Sequence, residues 1–181
     1  MEPWECYPSV WKSKTAFFAY LRGAIRRIWS RYPAKLEWKK TQLTTEKPEG
    51  YKGRGKKFGK CAYCGEMFVA SHLEVDHIIQ VGECNSWETA RQFMERLLNC
   101  NGNWCLACKT CHKIKSHAER LSVSFEEARL QKLVIEWMKQ SKATIVAMCK
   151  SKGYNEHSLT NTQKRREAVE AILRKELSID K

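Results

Sequence analysis

Two stretches decide how this chain folds: Leu-Glu-Val-Asp-His-Ile-Ile at 73–79 and Asn-Trp-Cys-Leu-Ala-Cys-Lys-Thr-Cys-His at 103–112. Their β-branched and apolar residues predict short strands over 73–79 and 104–107, followed by a helix that begins near His112. Both stretches also contain side chains that bind metals. We therefore expect a small unit of two strands and a helix that carries metal ligands.

Four cysteines form two Cys-x-x-Cys pairs, Cys61 with Cys64 and Cys108 with Cys111. Each such turn directs two thiolates to one point, and two turns complete the tetrahedral site that Zn²⁺ prefers. A closed site of this kind has no open position for chemistry, so we expect a structural zinc that cross-links the fold. Cys105 also stands three residues before Cys108, and the sequence leaves open whether it replaces a ligand.

Asp76, His77 and His112 have the side chains that phosphodiester hydrolysis needs. The reaction requires an activated water and positive charge at the reacting phosphate. Asp76 and His112 could hold Mg²⁺, or a softer divalent ion such as Mn²⁺ that accepts imidazole more readily. His77 is the natural general base. Because adjacent residues of a strand point to opposite faces, His77 needs a bent backbone or the far side of the groove to reach the water.

The segment from Cys61 to Ser116 resembles the HNH endonucleases. The matching pieces are Cys-Ala-Tyr-Cys at 61–64, the stretch at 73–79 and the run at 103–116. The resemblance covers about a third of the chain. It implies a ββα-metal fold, in which two strands and a helix surround one divalent ion.

The resemblance also implies a role for each matching residue. His77 would be the general base, and Asn103 would hold the loop that orients His77 through a side-chain hydrogen bond to the backbone. The catalytic ion would be bound by Asp76 and His112. The structural zinc would be bound by Cys61, Cys64, Cys108 and Cys111.

The chain departs from the family pattern in two places. The stretch between His77 and Asn103 is longer than in compact members, because a helix capped by Ser86 is predicted within it. Where some relatives have a further histidine, this chain has Ser116, followed by His117. Three roles stay open for His117: a third metal ligand, a phosphate contact or a surface residue without a function.

Positive charge is concentrated outside the Cys/His-rich centre. The net charge is +13, and residues 1–60 alone carry 15 Lys and Arg against 5 Asp and Glu. Basic segments bind polyanions by releasing their counterions, so DNA is the expected partner. The residues predicted to contact nucleic acid are Lys52, Arg54, Lys56, Lys57, Lys113 and Lys115.

Hydrophobic periodicity and capping residues predict helices on both sides of the centre. The segment 46–60 is rich in Gly and Lys and is expected to be a flexible linker. The predicted class is α+β, mostly helical, with a small zinc-stabilised ββα-metal core and helical extensions. The predicted helices cover 13–31, 35–42, 87–98, 125–140, 143–152 and 162–177. The predicted domains are a basic arm at 1–60, a nuclease core at 61–117 and a helical region at 118–181.

These observations favour a metal-dependent HNH DNA endonuclease, which by resemblance would leave 5′-phosphate and 3′-hydroxyl ends. One site cuts one strand, so a monomer is expected to nick DNA. A double-strand break would need a homodimer or two successive cleavage events by a monomer. By analogy we expect a phage-type free-standing enzyme of the homing or packaging-associated sort, with a phage packaging or replication protein as a further candidate partner. Two alternatives stay open: a catalytically silent, zinc-stabilised DNA-binding or packaging accessory protein, and a nuclease that acts on RNA.

The sequence also indicates where the protein acts. It has no apolar run long enough to span a membrane, and residues 1–5 do not resemble the start of a secretory signal. Seven of the nine cysteines lie between Cys61 and Cys111, which suits thiolate metal ligands in a reducing compartment. We expect a cytoplasmic protein with no membrane partner, located in the infected host cell if a phage encodes it.

Overall fold

The computed structural model describes residues 1–99 and 102–178, which form two compact units that meet in sequence at His112 and Lys113. The predicted class, α+β and mostly helical, is confirmed. The α-helices are α1 (Pro3–Cys6), α2 (Lys14–Ser30), α3 (Pro33–Thr41), α4 (Trp87–Leu98), α5 (Lys109–Leu121), α6 (Phe125–Trp137), α7 (Lys142–Ser151) and α8 (Thr162–Glu176). The strands are β1 (Phe58–Lys60), β2 (Met67–Val69), β3 (Leu73–His77) and β4 (Trp104–Cys108).

Strands β3 and β4 form an antiparallel pair that carries three of the predicted site residues, Asp76, His77 and Cys108. Leu73 is opposite Cys108 at one end of the pair, and His77 is opposite Trp104 at the other. Helix α4 lies between the two strands in the chain and helix α5 begins directly after β4, so the order here is strand, helix, strand, helix. This order agrees with the arrangement that the sequence predicted.

The predicted linker at 46–60 is wrong at its C-terminal end. Phe58 starts strand β1, which pairs with β2, and Phe58 also bridges to Thr44. The Phe58 side chain is 1% exposed and its ring lies 5.0 Å from that of Tyr51. One large aromatic side chain therefore anchors this basic segment to unit 1, although the surrounding Gly and Lys residues are typical of a linker.

Helix α2 packs on α4 and joins the N-terminal part of the chain to the rest of unit 1. Phe18 and Ile25 of α2 share a buried cluster with Phe93 and Leu97 of α4. Ser13 and Ser86 cap these helices with their side chains. Ile28 continues the helical spacing of Phe18 and Ile25 but is 58% exposed, so the buried stripe of α2 ends before it.

Unit 2 has its own core, formed mainly by α6, α7 and α8. Ser124, Ser141 and Asn161 cap these three helices by accepting bonds from backbone N–H groups. The buried core residues are Leu130, Val134, Ile145, Cys149, Leu159, Ala168, Val169, Ile172 and Leu173. No helix among residues 1–99 and 102–178 has both the length and the apolar content of a membrane span.

Candidate metal centre

Four cysteine sulfurs meet in unit 1 in an arrangement that can hold a metal ion. The Sγ atoms of Cys61, Cys64, Cys108 and Cys111 all lie within 4.8 Å of one another. A tetrahedral zinc with Zn–S bonds of about 2.3 Å separates its sulfurs by about 3.8 Å. The predicted metal-binding cluster is therefore confirmed, and its four-thiol composition is consistent with structural zinc.

The two pairs come together because the 61–64 turn docks on β4. Ala62 N–H donates to the Leu106 carbonyl at 2.8 Å, and Gly65 N–H donates back to the Cys61 carbonyl at 2.9 Å. Gly65 has a φ of +74°, a conformation that glycine adopts without strain. The Cys108 N–H approaches Cys61 Sγ at 3.3 Å. Backbone donors of this kind stabilise thiolates, which are the metal-binding form.

The cysteine thiols of the cluster differ in how readily they lose their protons. Burial opposes ionisation of Cys61, but backbone N–H donors from Cys108, Cys64 and Tyr63 outweigh it and lower the pKa of Cys61 to about 7. Burial raises the pKa of Cys64 and of Cys111. Because thiols lose their protons when they bind a metal, loading of the cluster is expected to release protons.

Cys105 belongs to a different set of contacts. Its thiol lies 3.6 Å from the Tyr63 hydroxyl, and it is opposite Asp76 in the strand register. The four-thiol cluster therefore uses the Cys108 and Cys111 pair, and the alternative in which Cys105 replaces a ligand is not the arrangement found.

Asp76 and His112 lie next to each other, as a shared ion would require. Asp76 Oδ1 is 3.5 Å from His112 Nε2, and two ligand atoms about 2.1 Å from one ion are roughly 3.0 to 3.5 Å apart. Asp76 is 6% exposed. Its Oδ1 also accepts from the His77 N–H at 2.8 Å, and its Oδ2 accepts from the Tyr63 hydroxyl at 2.8 Å.

Glu74 completes this arrangement and was missed in the sequence. Its Oε2 lies 2.5 Å from His112 Nδ1. A carboxylate can only accept, so Nδ1 carries a proton, and in the neutral ring the lone pair is on Nε2, facing Asp76. Two acceptor atoms that face each other suit a shared cation. The available signal was the two-residue period of a strand, which gives Glu74 and Asp76 the same face.

His77 is buried among aromatic side chains. Its Nε2 lies 3.0 Å from the Leu97 carbonyl oxygen. Its ring centroid is 4.6 Å from that of Trp29 and 6.4 Å from that of Trp104. The imidazole is thus fixed by a main-chain acceptor at the C-terminal end of α4, and its role as general base stays a prediction.

Asn103 binds the backbone that follows His77. Its Oδ1 accepts from the Ile79 N–H at 2.7 Å, and its Nδ2 donates to the Ile79 carbonyl at 3.0 Å. The Asn103 carbonyl also accepts from the Ile78 N–H at 2.8 Å. These bonds join the ends of β3 and β4 through a single residue. The sequence had assigned Asn103 a contact of this type, and its effect on catalysis stays a prediction.

The residues predicted to contact nucleic acid differ in their surroundings. Lys113 is exposed, whereas Lys115 is 8% exposed and pairs with Glu119 at 2.7 Å. An ammonium already neutralised in this way is poorly suited to bind phosphate. The four predicted residues of the Gly-rich segment are all exposed: Lys52, Arg54, Lys56 and Lys57.

His117 is a buried residue of unit 2. Its Nε2 is 3.1 Å from Gln131 Oε1, and its Nδ1 lies 2.9 Å from the Arg120 guanidinium. It is 7% exposed, so the interpretation of His117 as an idle surface residue is wrong. Contacts within unit 2 engage both ring nitrogens, as expected for a residue that supports packing.

The chain matches no protein-family model, no curated protein and no solved structure.

Proposed function

We propose that this protein is a metal-dependent HNH endonuclease that hydrolyses DNA phosphodiester bonds. The observation that carries the proposal is the arrangement of Asp76 Oδ1, 3.5 Å from His112 Nε2, with Glu74 on the opposite ring nitrogen. The carboxylate and the oriented imidazole could together bind one divalent ion that keeps coordination positions open for water and phosphate. The four-thiol cluster is adjacent in the chain, since Cys108 ends β4 and Cys111 precedes His112 in α5.

The catalytic ion would be held by Asp76 and His112, and Mg²⁺ and Mn²⁺ suit these ligands. Such an ion would supply positive charge where negative charge builds up on the reacting phosphate. Glu74 keeps the lone pair of His112 on Nε2, and the Tyr63 hydroxyl and His77 N–H together fix the orientation of the Asp76 carboxylate. The ligand atoms are thereby oriented before substrate binds, which lowers the cost of assembling the site.

His77 is the proposed general base, and its bond to Leu97 supports this role. A carbonyl oxygen only accepts, so Nε2 carries the proton, and the neutral ring has its lone pair on Nδ1. The bond also stabilises the imidazolium that forms when Nδ1 takes a proton from water. We propose the cluster of Trp29 and Trp104 as the support that holds the ring in this orientation.

A group of three lysines, two of which interact with Glu74, favours an anionic substrate. Lys39 Nζ donates to the Leu73 carbonyl at 2.5 Å, which brings α3 against the start of β3. Burial lowers the pKa of Lys39; Glu74 opposes this effect and Lys109 adds to it. Burial also lowers the pKa of Lys35, and Lys39 contributes. The three ammonium groups outnumber the two carboxylates that contact His112, Glu74 and Asp76, so positive charge is in excess where the proposed reaction needs to hold a phosphate.

We expect Lys35→Ala and Lys109→Ala each to weaken DNA binding and to reduce the slope of log K against log salt by about 1, the value for one lost phosphate contact. Lys40→Ala is the matched control, because Lys40 is on the same helix as Lys35 but pairs with Glu37 at 3.0 Å. The measurement is fluorescence anisotropy with a DNA duplex at several salt concentrations, without Mg²⁺. Slopes equal to that of the parent would contradict this contact.

The burial of His77 favours a second candidate function. The residue is 8% exposed, whereas a general base has to reach the water that it activates. A zinc-stabilised DNA-binding accessory protein would retain the fold and the lysines without needing that access. The two candidates differ in one measurable property, which is cleavage.

Incubation of the full chain with supercoiled plasmid and Mg²⁺ or Mn²⁺ tests the proposed function. We expect the plasmid to be nicked. Nicking should not occur when the divalent ion is chelated, and it should resume when Mg²⁺ is added back. His112→Ala is expected to abolish nicking. Binding of the plasmid without any nicking would overturn the nuclease in favour of the accessory protein. The same assay on duplex and folded RNA tests the RNA-directed alternative.

A further inference from the structure

Tyr63 links the two candidate metal sites. It lies inside the first thiol pair, one residue before Cys64 and two after Cys61. Its hydroxyl donates to Asp76 Oδ2 at 2.8 Å, and its backbone N–H is directed at Cys61 Sγ. The same residue thus contacts a ligand of the thiol cluster with its main chain and a proposed catalytic ligand with its side chain.

The bond to Tyr63 determines which oxygen of Asp76 faces His112. A carboxylate rotates easily about its Cβ–Cγ bond, because that torsion has broad minima. In unit 1 the Tyr63 hydroxyl holds Oδ2, while Oδ1 accepts from the His77 N–H and faces His112 Nε2. Without the hydroxyl, a restraint on this rotation would be lost.

We propose that Tyr63 is a positioning residue through which the metal-bound thiol cluster orients Asp76 for a second divalent ion. The inference rests on the proposed function, since it concerns the Asp76 and His112 site. A metal at the four cysteines fixes the 61–64 turn, and the turn fixes the Tyr63 hydroxyl against Oδ2. Loss of metal from the cysteines then disorients Asp76 as well, so the structural ion controls the affinity of the catalytic one.

Tyr63→Phe tests this link because it removes the hydroxyl and keeps the ring. We expect the affinity for Mn²⁺ to fall about 10- to 100-fold, the usual effect of losing a partner that orients a metal ligand. Zinc content is expected to be unchanged, and the melting temperature nearly so. Mn²⁺ is titrated into zinc-loaded full-length protein and followed by electron paramagnetic resonance, since Mn²⁺ competes poorly with Zn²⁺ for thiolates.

Tyr51→Phe is the matched control. The Tyr51 hydroxyl also makes a hydrogen bond in unit 1, accepting from the Gly55 N–H at 3.2 Å, so its removal should leave Mn²⁺ affinity unchanged. Equal Mn²⁺ affinity in Tyr63→Phe and the parent would overturn the link. Loss of zinc from Tyr63→Phe would overturn it too, because the hydroxyl would then act on the thiol cluster rather than on Asp76.

The Mn²⁺ titration distinguishes a failure of the Tyr63 role from a failure of the proposed function. A parent protein that binds no Mn²⁺, or binds it unchanged after Asp76→Asn, would overturn the catalytic site itself and the role of Tyr63 with it. A parent that binds Mn²⁺ through Asp76, together with a Tyr63→Phe variant of equal affinity, would overturn only the role of Tyr63. Nicking activity is not needed for either decision.

Discussion

Replacing His77 with Gln is expected to lower the rate of plasmid nicking by about 10²- to 10⁴-fold, the range that a general base contributes. Gln has no group that takes a proton near neutral pH, although its amide can still donate to the Leu97 carbonyl and so keep the contact that holds the side chain. Mn²⁺ binding should change little, because Asp76 and His112 are retained. Rates are measured under single-turnover conditions at saturating Mg²⁺.

His72→Gln is the matched control for this experiment. His72 is an exposed histidine just before β3, and its replacement should leave the rate unchanged. Nicking by His77→Gln at the parental rate, in a protein that still binds Mn²⁺, would rule out His77 as the base. The Asp76 and His112 metal site would then remain supported, and a group other than His77 would have to activate the water.

Cys111→Ser is expected to lower zinc content and the stability of unit 1 together. Binding of structural zinc contributes on the order of 10 kcal/mol, and serine is a much poorer ligand than a thiolate. Loss of about 3 kcal/mol of this stabilisation would lower the melting temperature by roughly 10 °C in a chain of this size. Zinc is measured by atomic absorption, and unfolding by circular dichroism.

The control is Cys6→Ser, which alters an exposed cysteine of α1. Zinc content and melting temperature should both stay at the parental values in that variant. A Cys111→Ser protein that retains one zinc per chain would show that the cluster does not use this ligand. A protein that loses zinc but melts at the parental temperature would show that the ion does not stabilise the fold.

Much of the fold was predictable because its signals are local. Ser86 and Ser124 cap helices where their sequence contexts indicate, and Gly153 follows the end of α7. Strand β1 was not predictable in the same way. Its single large apolar residue, Phe58, lies in a run of Gly and Lys, and its burial depends on a partner strand beyond the 61–64 turn. Tertiary pairing outweighed local composition.

In the candidate site, too, the residues that belong to local motifs were predictable, and those that depend on tertiary packing were not. The four thiols and the Asp76–His112 neighbourhood follow from motifs that a single sequence displays. Glu74 was identifiable from strand alternation, but acidic residues are so common in sequences that the period alone did not distinguish it. Lys115 and His117 have the residue types of a nucleic-acid contact, and their burial against Glu119 and Gln131 depends on packing that composition does not reveal.

The hydrogen bond between His77 and the Leu97 carbonyl affects which sequence changes the site can tolerate. Leu97 contributes a main-chain oxygen, which every one of the twenty amino acids possesses. Substitution at position 97 therefore changes the hydrophobic contacts of α4 without deleting the acceptor itself. What this arrangement constrains is the length and path of the segment between the two strands. A change of one residue near the end of α4 would shift that oxygen away from the imidazole, even if every side chain of the motif were retained.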